Sequence, residues 1–211
     1  MTPEDLAGRH PRLFHVTSPG AWESIARHGL LPACDLVALF APDRAPRDDL
    51  LATRRPVEVV LDHPLHGQAI LNDNLPLSER ALAACLDDGL GARDWLRLLN
   101  QRVFFWSDES GLQRLLGARL NRGRPREVLV FDTLALVAAH ADRVEISPIN
   151  SGATIRRPAR RGLATFTPLD AMTYAAWRRR RGRLDRIVEV VVRGGVADIR
   201  RYLLDRRTVA P

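Results

Sequence analysis

Residues 13–31, LFHVTSPGAWESIARHGLL, carry the densest set of groups suited to binding a polar ligand. The alternating start, 13–17, predicts a short strand, and its end displays the imidazole of His15 and the hydroxyls of Thr17 and Ser18. A second candidate is Glu189, alone among apolar β-formers in IVEVVV at 187–192. An ionised carboxylate inside a central strand is costly. Such a residue therefore points to the floor of a cleft, where a ligand meets the charge. The plainer alternative is an edge strand with Glu189 facing water. Glu127, opening EVLVFD, is the rival carboxylate, but RGRPR just before it offers a surface ion pair as a sufficient explanation. His63 and His66 have the spacing of a metal-holding pair, yet no third ligand follows; a polar loop is expected there, and no metal.

The elements that must position these groups follow from local pattern. Ser18 is expected to cap a helix with Pro19 in its first turn, Trp22, Ile25 and Ala26 on its apolar face, and Gly29 as a left-handed stop. Residues 1–12 read as a loose lead-in, 41–55 as an exposed loop or broken helix, and 57–61 as a strand between prolines. Residues 78–90 and 92–100 read as helices, 102–106 (RVFFW) as a strand, and 107–110 as the N-terminal signal of a further helix. Strands are expected at 127–132, 144–147 and 187–192, with short helices at 134–140 and ending near 202–204. Strands scattered among short helices without regular βαβ spacing indicate an α+β domain, taken as a single domain over residues 1–211.

Composition narrows the classes. No apolar run approaches the ~18 residues of a membrane helix, and the first twelve residues lack the apolar core of a secretory signal, so a soluble cytoplasmic protein is expected. Two unpaired cysteines, Cys34 and Cys85, argue against a disulfide scaffold or zinc ribbon and are read as reduced, buried thiols. The net charge is +7 with a pI near 10.9, and there is no lysine, so every fixed cationic side chain is arginine. A GC-rich genome would account for the lysine deficit. A phosphate-rich partner would also use arginine, which binds phosphate bidentately. Runs at 154–161 and 177–183 hold four and five arginines; each is either a solvated face or a basic rim for a polyanionic acceptor.

Taken in order, these pieces carry a family resemblance. His15-Val16-Thr17, followed by a helix and Gly29-Leu30, resembles the first motif of the diphtheria-toxin-like ADP-ribosyltransferases, which include the poly-ADP-ribose polymerases. There a His, a small residue and a Ser or Thr hold NAD. Val103-Phe104-Phe105-Trp106-Ser107 resembles the second motif, whose aromatic residue stacks on nicotinamide; Phe104 stands where the polymerases have Tyr. Glu127-Val128-Leu129-Val130 resembles the next strand. Val188-Glu189-Val190-Val191-Val192, with Val196 and Tyr202-Leu203-Leu204 after it, resembles the terminal strand bearing the catalytic Glu. Two positions depart from the pattern: Val16 replaces the usual Gly, and Phe104 lacks the tyrosine hydroxyl.

The resemblance implies split antiparallel β-sheets with short flanking helices and NAD as co-substrate. Its binding residues would be His15, Val16, Thr17, Phe104, Trp106 and Ser107, with Glu189 catalytic and Arg12 or Arg102 against the pyrophosphate. The implied reaction is of the glycosyltransferase class, moving ADP-ribose to a nucleic-acid or protein acceptor. The opening also resembles bacterial DNA-modifying ADP-ribosyltransferase toxins. The tRNA 2′-phosphotransferases share the superfamily, so NAD-dependent removal of an RNA 2′-phosphate is one alternative. A non-catalytic nucleic-acid-binding module on the same scaffold is another.

Overall fold

The computed structural model describes residues 1–43, 48–121, 123–155, 157–181 and 187–209. Nine strands are present among them: β1 (Arg12–Thr17), β2 (Val59–His63), β3 (Gly67–Leu71), β4 (Arg102–Trp106), β5 (Arg126–Asp132), β6 (Val144–Ser147), β7 (Thr167–Pro168), β8 (Glu189–Arg193) and β9 (Leu203–Val209). Seven form one antiparallel sheet in the order β7-β6-β8-β4-β1-β5-β9, and β2 and β3 form a separate hairpin. With several short helices around both sheets, this is an α+β domain.

Register sorts side chains onto two faces. Phe14 lies opposite Trp106, and Trp106 opposite Glu189, so these three share a face with Val16, Phe104 and Val191. Leu13, Phe105, Leu129, Val190 and Val192 point the other way into the main core. Helices Pro3–Ala7, Thr133–Ala139 and Tyr174–Arg181 supply Leu6, Leu136 and the buried Trp177 to that core. The Glu189 face has no such continuous cover. Its apolar residues fall into two smaller clusters, one with Trp95, Phe166 and Val191 and one with Phe14, Leu112 and Val128. Phe104 packs on the first cluster; Val16 and Trp106 pack on the second.

Several expectations need correction. The lead-in is a helix, Pro3–Ala7, capped by Thr2 and anchored by buried Leu6. Ser18 does not cap the next helix, Ala21–His28; Gly20, at φ +85°, stands at its N-cap without a side-chain bond. Gly29 does end that helix at φ +86°, and any Cβ there would lie 2.6 Å from the Ala197 Cα. The helix expected over 78–90 is only Glu79–Ala83. Beyond it the chain is held by Arg161, whose N–H donates to the Cys85 carbonyl (2.9 Å) and whose carbonyl accepts from Asp87 (2.8 Å), so tertiary pairing overrides helix propensity. The helix signal expected at 107–110 is borne out, with Asp108 as the cap of Glu109–Leu116. The polar loop expected after His63 is instead a turn and a second strand, β3. The His63 Nδ1 accepts from the Leu65 and His66 N–H groups and so closes that turn. Cys34 is half-buried rather than buried, and burial pushes its thiol up to about 11.

Candidate functional site

The sheet is joined unevenly. β1 and β5 are in register over six pairs, but β1 and β4 over one, Phe14 with Trp106. Beyond that pair the strands part. His15 fills the gap: its Nδ1 lies 3.0 Å from the Phe104 carbonyl, where a ladder bond would otherwise run. A carbonyl oxygen can only accept, so Nδ1 carries the proton and Nε2 keeps its lone pair. Burial holds the imidazole below its ordinary range, which keeps it neutral near pH 7.

A cleft opens at this parting. One lobe, about 290 Å³, is lined by His15, Thr17, Ser24, Arg55 and Asn100; the adjoining lobe, about 240 Å³, by Pro76, Arg126, Ser151 and Glu189. Val16, Phe104, Trp106 and the 72–74 segment line both lobes, so they form the shared wall. Phe104 lies edge-on to Phe166, with ring centroids 6.0 Å apart. Of the residues named from sequence, Val16, Phe104 and Trp106 line both lobes, His15 and Thr17 only the first, and Glu189 only the second. By register His15 lies opposite Leu129 and its ring meets Phe105 at 6.0 Å, so His15 and Thr17 belong to the sheet face opposite Glu189 and reach the cleft where the strands part. Ser107 is not among its lining residues. Its buried hydroxyl donates to the Ile187 and Val188 carbonyls, tying the end of β4 to the approach of β8.

Glu189 opens β8, a central strand between β6 and β4, so the edge-strand alternative does not hold. Its two carboxylate oxygens accept from the Ser151 N–H at 3.1 and 3.2 Å. Burial dominates and raises its pKa to about 7, opposed by the Ser151 bonds, the positive charge of Arg161 and the Ser147 hydroxyl. Arg161 is itself buried and donates to the Ser151 carbonyl (2.8 Å), and the Trp95 indole donates there too (3.3 Å). Ser151 is therefore clamped through its carbonyl while its N–H holds Glu189. Arg161 does not belong to a basic rim. Arg160 pairs with Asp87, whereas Arg178, Arg179 and Arg180 on helix Tyr174–Arg181 are exposed. Arg156 and Arg183 lie outside the described residues.

Glu127 is buried, contrary to the surface role expected of it. It sits opposite Thr17 on β5, and its partner is Arg206 of the edge strand β9, at 3.2 Å. Its second oxygen has no hydrogen bond. It does not line the cleft.

Neither arginine expected at a pyrophosphate is free for one. Arg12 is exposed at the start of β1 opposite Asp132, away from the cleft lining. Arg102 borders the His15 lobe but is committed to Glu145 (2.8 Å), the Leu98 carbonyl and the face of Phe166. The cleft arginines that sequence reading missed are Arg55 and Arg126. Arg55 donates to the Leu50 and Asn72 carbonyls and to Asn100. Arg126 pairs with Glu58 (2.6 Å) and Asp73 (3.5 Å). Asn72, Asp73, Asn74 and Ser151 were also missed as lining residues. The polar triplet Asn72-Asp73-Asn74 was visible as a feature, but nothing local tells that the hairpin delivers it to the cleft. Among the described residues no group of three or more His, Cys, Asp or Glu side chains is placed to hold a metal. No helix among them is long and apolar enough to cross a membrane.

The chain belongs to a family of unknown function, DUF7002, whose model matches residues 11–203. That span includes every cleft residue named above. No curated protein matches the chain.

Proposed function

We propose that this member of the family is an NAD-dependent ADP-ribosyltransferase acting on a macromolecular acceptor. One observation carries the reading. Apart from Ser107, the groups that the resemblance assigns to NAD are far apart in sequence, yet they line two adjoining lobes that share Val16, Phe104 and Trp106 at the parting of β1 and β4. In the reaction the bond between the ribose C1′ and the nicotinamide nitrogen breaks, and nicotinamide leaves with the electron pair. The acceptor's nucleophile bonds to C1′ and gives up its proton. The neutral His15 offers Nε2 as acceptor to a ribose hydroxyl, and Thr17 offers a second polar contact. Phe104 and Trp106 supply an aromatic wall suited to the nicotinamide ring. Glu189, when ionised, stabilises the developing positive charge on the ribose and takes the acceptor's proton. Its pKa near 7 places it where both the charged and the protonated form are accessible at working pH.

The phosphotransferase alternative needs arginines free to take a second phosphate beside His15. Arg55 and Arg102, which border that lobe, are already committed to protein groups, so this geometry favours transfer of ADP-ribose. A DNA-modifying role, as in the toxins, is one form of the same reaction. The test is to supply NAD labelled in the adenylate phosphate together with DNA, RNA and protein. Label is expected on one acceptor class, with nicotinamide released. Release of a 2′-phosphate from RNA without label transfer would overturn the reading, and so would an absence of NAD binding.

A further inference from the structure

Three of the chain's six histidines meet where the tip of the β2–β3 hairpin rests on the end of helix Ala21–His28, and the reaction proposed above uses none of them. Between ring centroids, His66 lies 4.5 Å from His63 and 5.2 Å from His28. Phe40, buried in the hairpin's own apolar cluster, stands edge-on to His28 at 5.2 Å and tilted to His66 at 5.8 Å. The bonds across this contact run from helix to hairpin: the His66 carbonyl accepts from His28 Nε2 (3.2 Å) and Arg27 Nη1 (3.5 Å). Within the hairpin, His63 Nδ1 accepts from the Leu65 N–H at 3.2 Å and the His66 N–H at 3.3 Å. A ring nitrogen that accepts carries no proton, so His63 closes this turn only while it is neutral.

No countercharge offsets a proton taken up here. Among the described residues the histidine that forms an ion pair is His140, with Asp198, and no carboxylate pairs with His28, His63 or His66. The charged side chain that reaches the contact is a cation, Arg27. Asp62 neighbours His63 on β2, but strand alternation puts it on the other face, opposite Gln68. Glu23 of helix Ala21–His28 is exposed, and Asp35 of helix Ala33–Phe40 accepts from the Cys34 thiol. Loss of water around His66, and then the charges that His63 and His28 would carry, hold its pKa below the ordinary 6.5.

We propose that His28, His63 and His66 form a proton-operated latch, which holds the hairpin tip to helix Ala21–His28 while the rings are neutral and releases it when they are protonated. The closed form takes up protons less readily than the open one. Its hold is therefore complete above the ordinary imidazole pKa and is lost as pH falls through the lower value of the closed form. What the latch governs is the first lobe of the cleft, whose lining includes Ser24 and Ile25 of the helix and residues 69–74 of the hairpin and the segment after it. The base of the hairpin is pinned separately, by Glu58 and Asp73 on Arg124 and Arg126. Release at the tip alone thus lets the hairpin swing about its base and widens the lobe.

The experiment is amide hydrogen exchange, followed by NMR on the ligand-free wild-type protein at pH 8 and pH 5, each rate divided by that of the unstructured amide at the same pH. It uses no nucleotide, so its outcome is independent of the NAD reading. Protection over 59–71 should fall at pH 5, by about 10-fold for each histidine whose proton affinity differs by one pKa unit between the two forms. β5, inside the main sheet, should keep its protection. The double variant His63→Asn/His66→Phe keeps an acceptor near the Nδ1 position and a ring at 66, but neither side chain takes a proton; His28 Nε2 donates in either protonation state. That variant should hold the hairpin equally at both pH values. Equal wild-type protection at pH 8 and pH 5 overturns the proposal. So does a loss that spreads equally to β5, or one that survives unchanged in the double variant. If the variant fails to fold, nitrogen NMR of His63 in the wild type decides. A bare Nδ1 at pH 8 that gains its proton as hairpin protection drops upholds the latch; an Nδ1 protonated at pH 8, or protonated with protection intact, overturns it.

Discussion

Two glutamates lie at the starts of strands of the same sheet, Glu189 first in β8 and Glu127 second in β5, and each is 5 % exposed. Burial alone does not tell them apart; compensation does. Glu127 faces the guanidinium of Arg206 at 3.2 Å, and the pair closes the sheet's edge between β5 and β9. Among the described residues no cation forms an ion pair with Glu189. It is held by the Ser151 N–H and helped by the Ser147 hydroxyl and the charge of Arg161, which together do not offset its burial, and its lobe opens to a cleft. A structural carboxylate is neutralised where it stands. A reactive one is left partly uncompensated, at a cost in stability, and the rest of the fold must carry that cost.

The largest effect that would sharpen this contrast is on turnover. Glu189→Gln keeps volume and loses charge, and should slow nicotinamide release by about 100- to 1,000-fold, the scale of a lost transition-state stabiliser. Glu127→Gln should leave the rate within a few-fold of wild type. The reverse order would show that the reactive strand is β5.

The next effect is on stability, with a sign that depends on pH. Glu189 has a folded pKa of about 7, above its ordinary value of 4.5. Between these values the unfolded chain gives up the proton while the folded protein keeps it, so stability falls as pH rises across that window. Glu189→Gln removes this penalty. Urea denaturation should show the variant more stable than wild type by up to about 3 kcal/mol at pH 8, with little of that gain at pH 4. A variant less stable than wild type at pH 8 would mean that Glu189 is compensated as fully as Glu127.

A smaller effect concerns the buried cation behind the site. Arg161→Gln keeps a donor for the Ser151 carbonyl but removes the charge that opposes Glu189's burial. The Glu189 titration, followed by carbon NMR of its carboxyl group, should move upward, and activity at pH 7 should fall severalfold and recover at pH 9. Arg161→Lys should titrate close to wild type. An unchanged midpoint in Arg161→Gln would reduce Arg161 to a structural peg.

Much of the sheet was legible in sequence because its strands are short apolar runs with clear ends. RVFFW, EVLVFD and IVEVVV appear close to where pattern puts them, as β4, β5 and β8. β9 was missed because LLDRRTV is an edge strand with most side chains in water, so it carries no hydrophobic period. β3 was missed because a turn held by His63 brings GQAIL back along β2, and GQAIL read as loop. Of the site, His15, Phe104 and Glu189 were legible as types set in strands, and their convergence follows from strand order, which local pattern does not encode. Ser107 was misplaced because a hydroxyl after a strand looks alike whether it meets a ligand or a neighbouring carbonyl. Arg161 was misplaced because it sits in a charge run, and only the long-range bridge to 85–87 shows that it turns inward.

The central claim is that Glu189, left partly uncompensated in the cleft, drives the cleavage of NAD. Its most direct test is the pH dependence of nicotinamide release by the wild-type protein, with NAD saturating and mixed DNA, RNA and protein present as acceptors. The account predicts a rate that rises with pH through a midpoint near 7 and that is lost in Glu189→Gln at every pH. Release that is unaffected by Glu189→Gln, or the absence of any release from a folded wild-type protein supplied with all three acceptors, would contradict it.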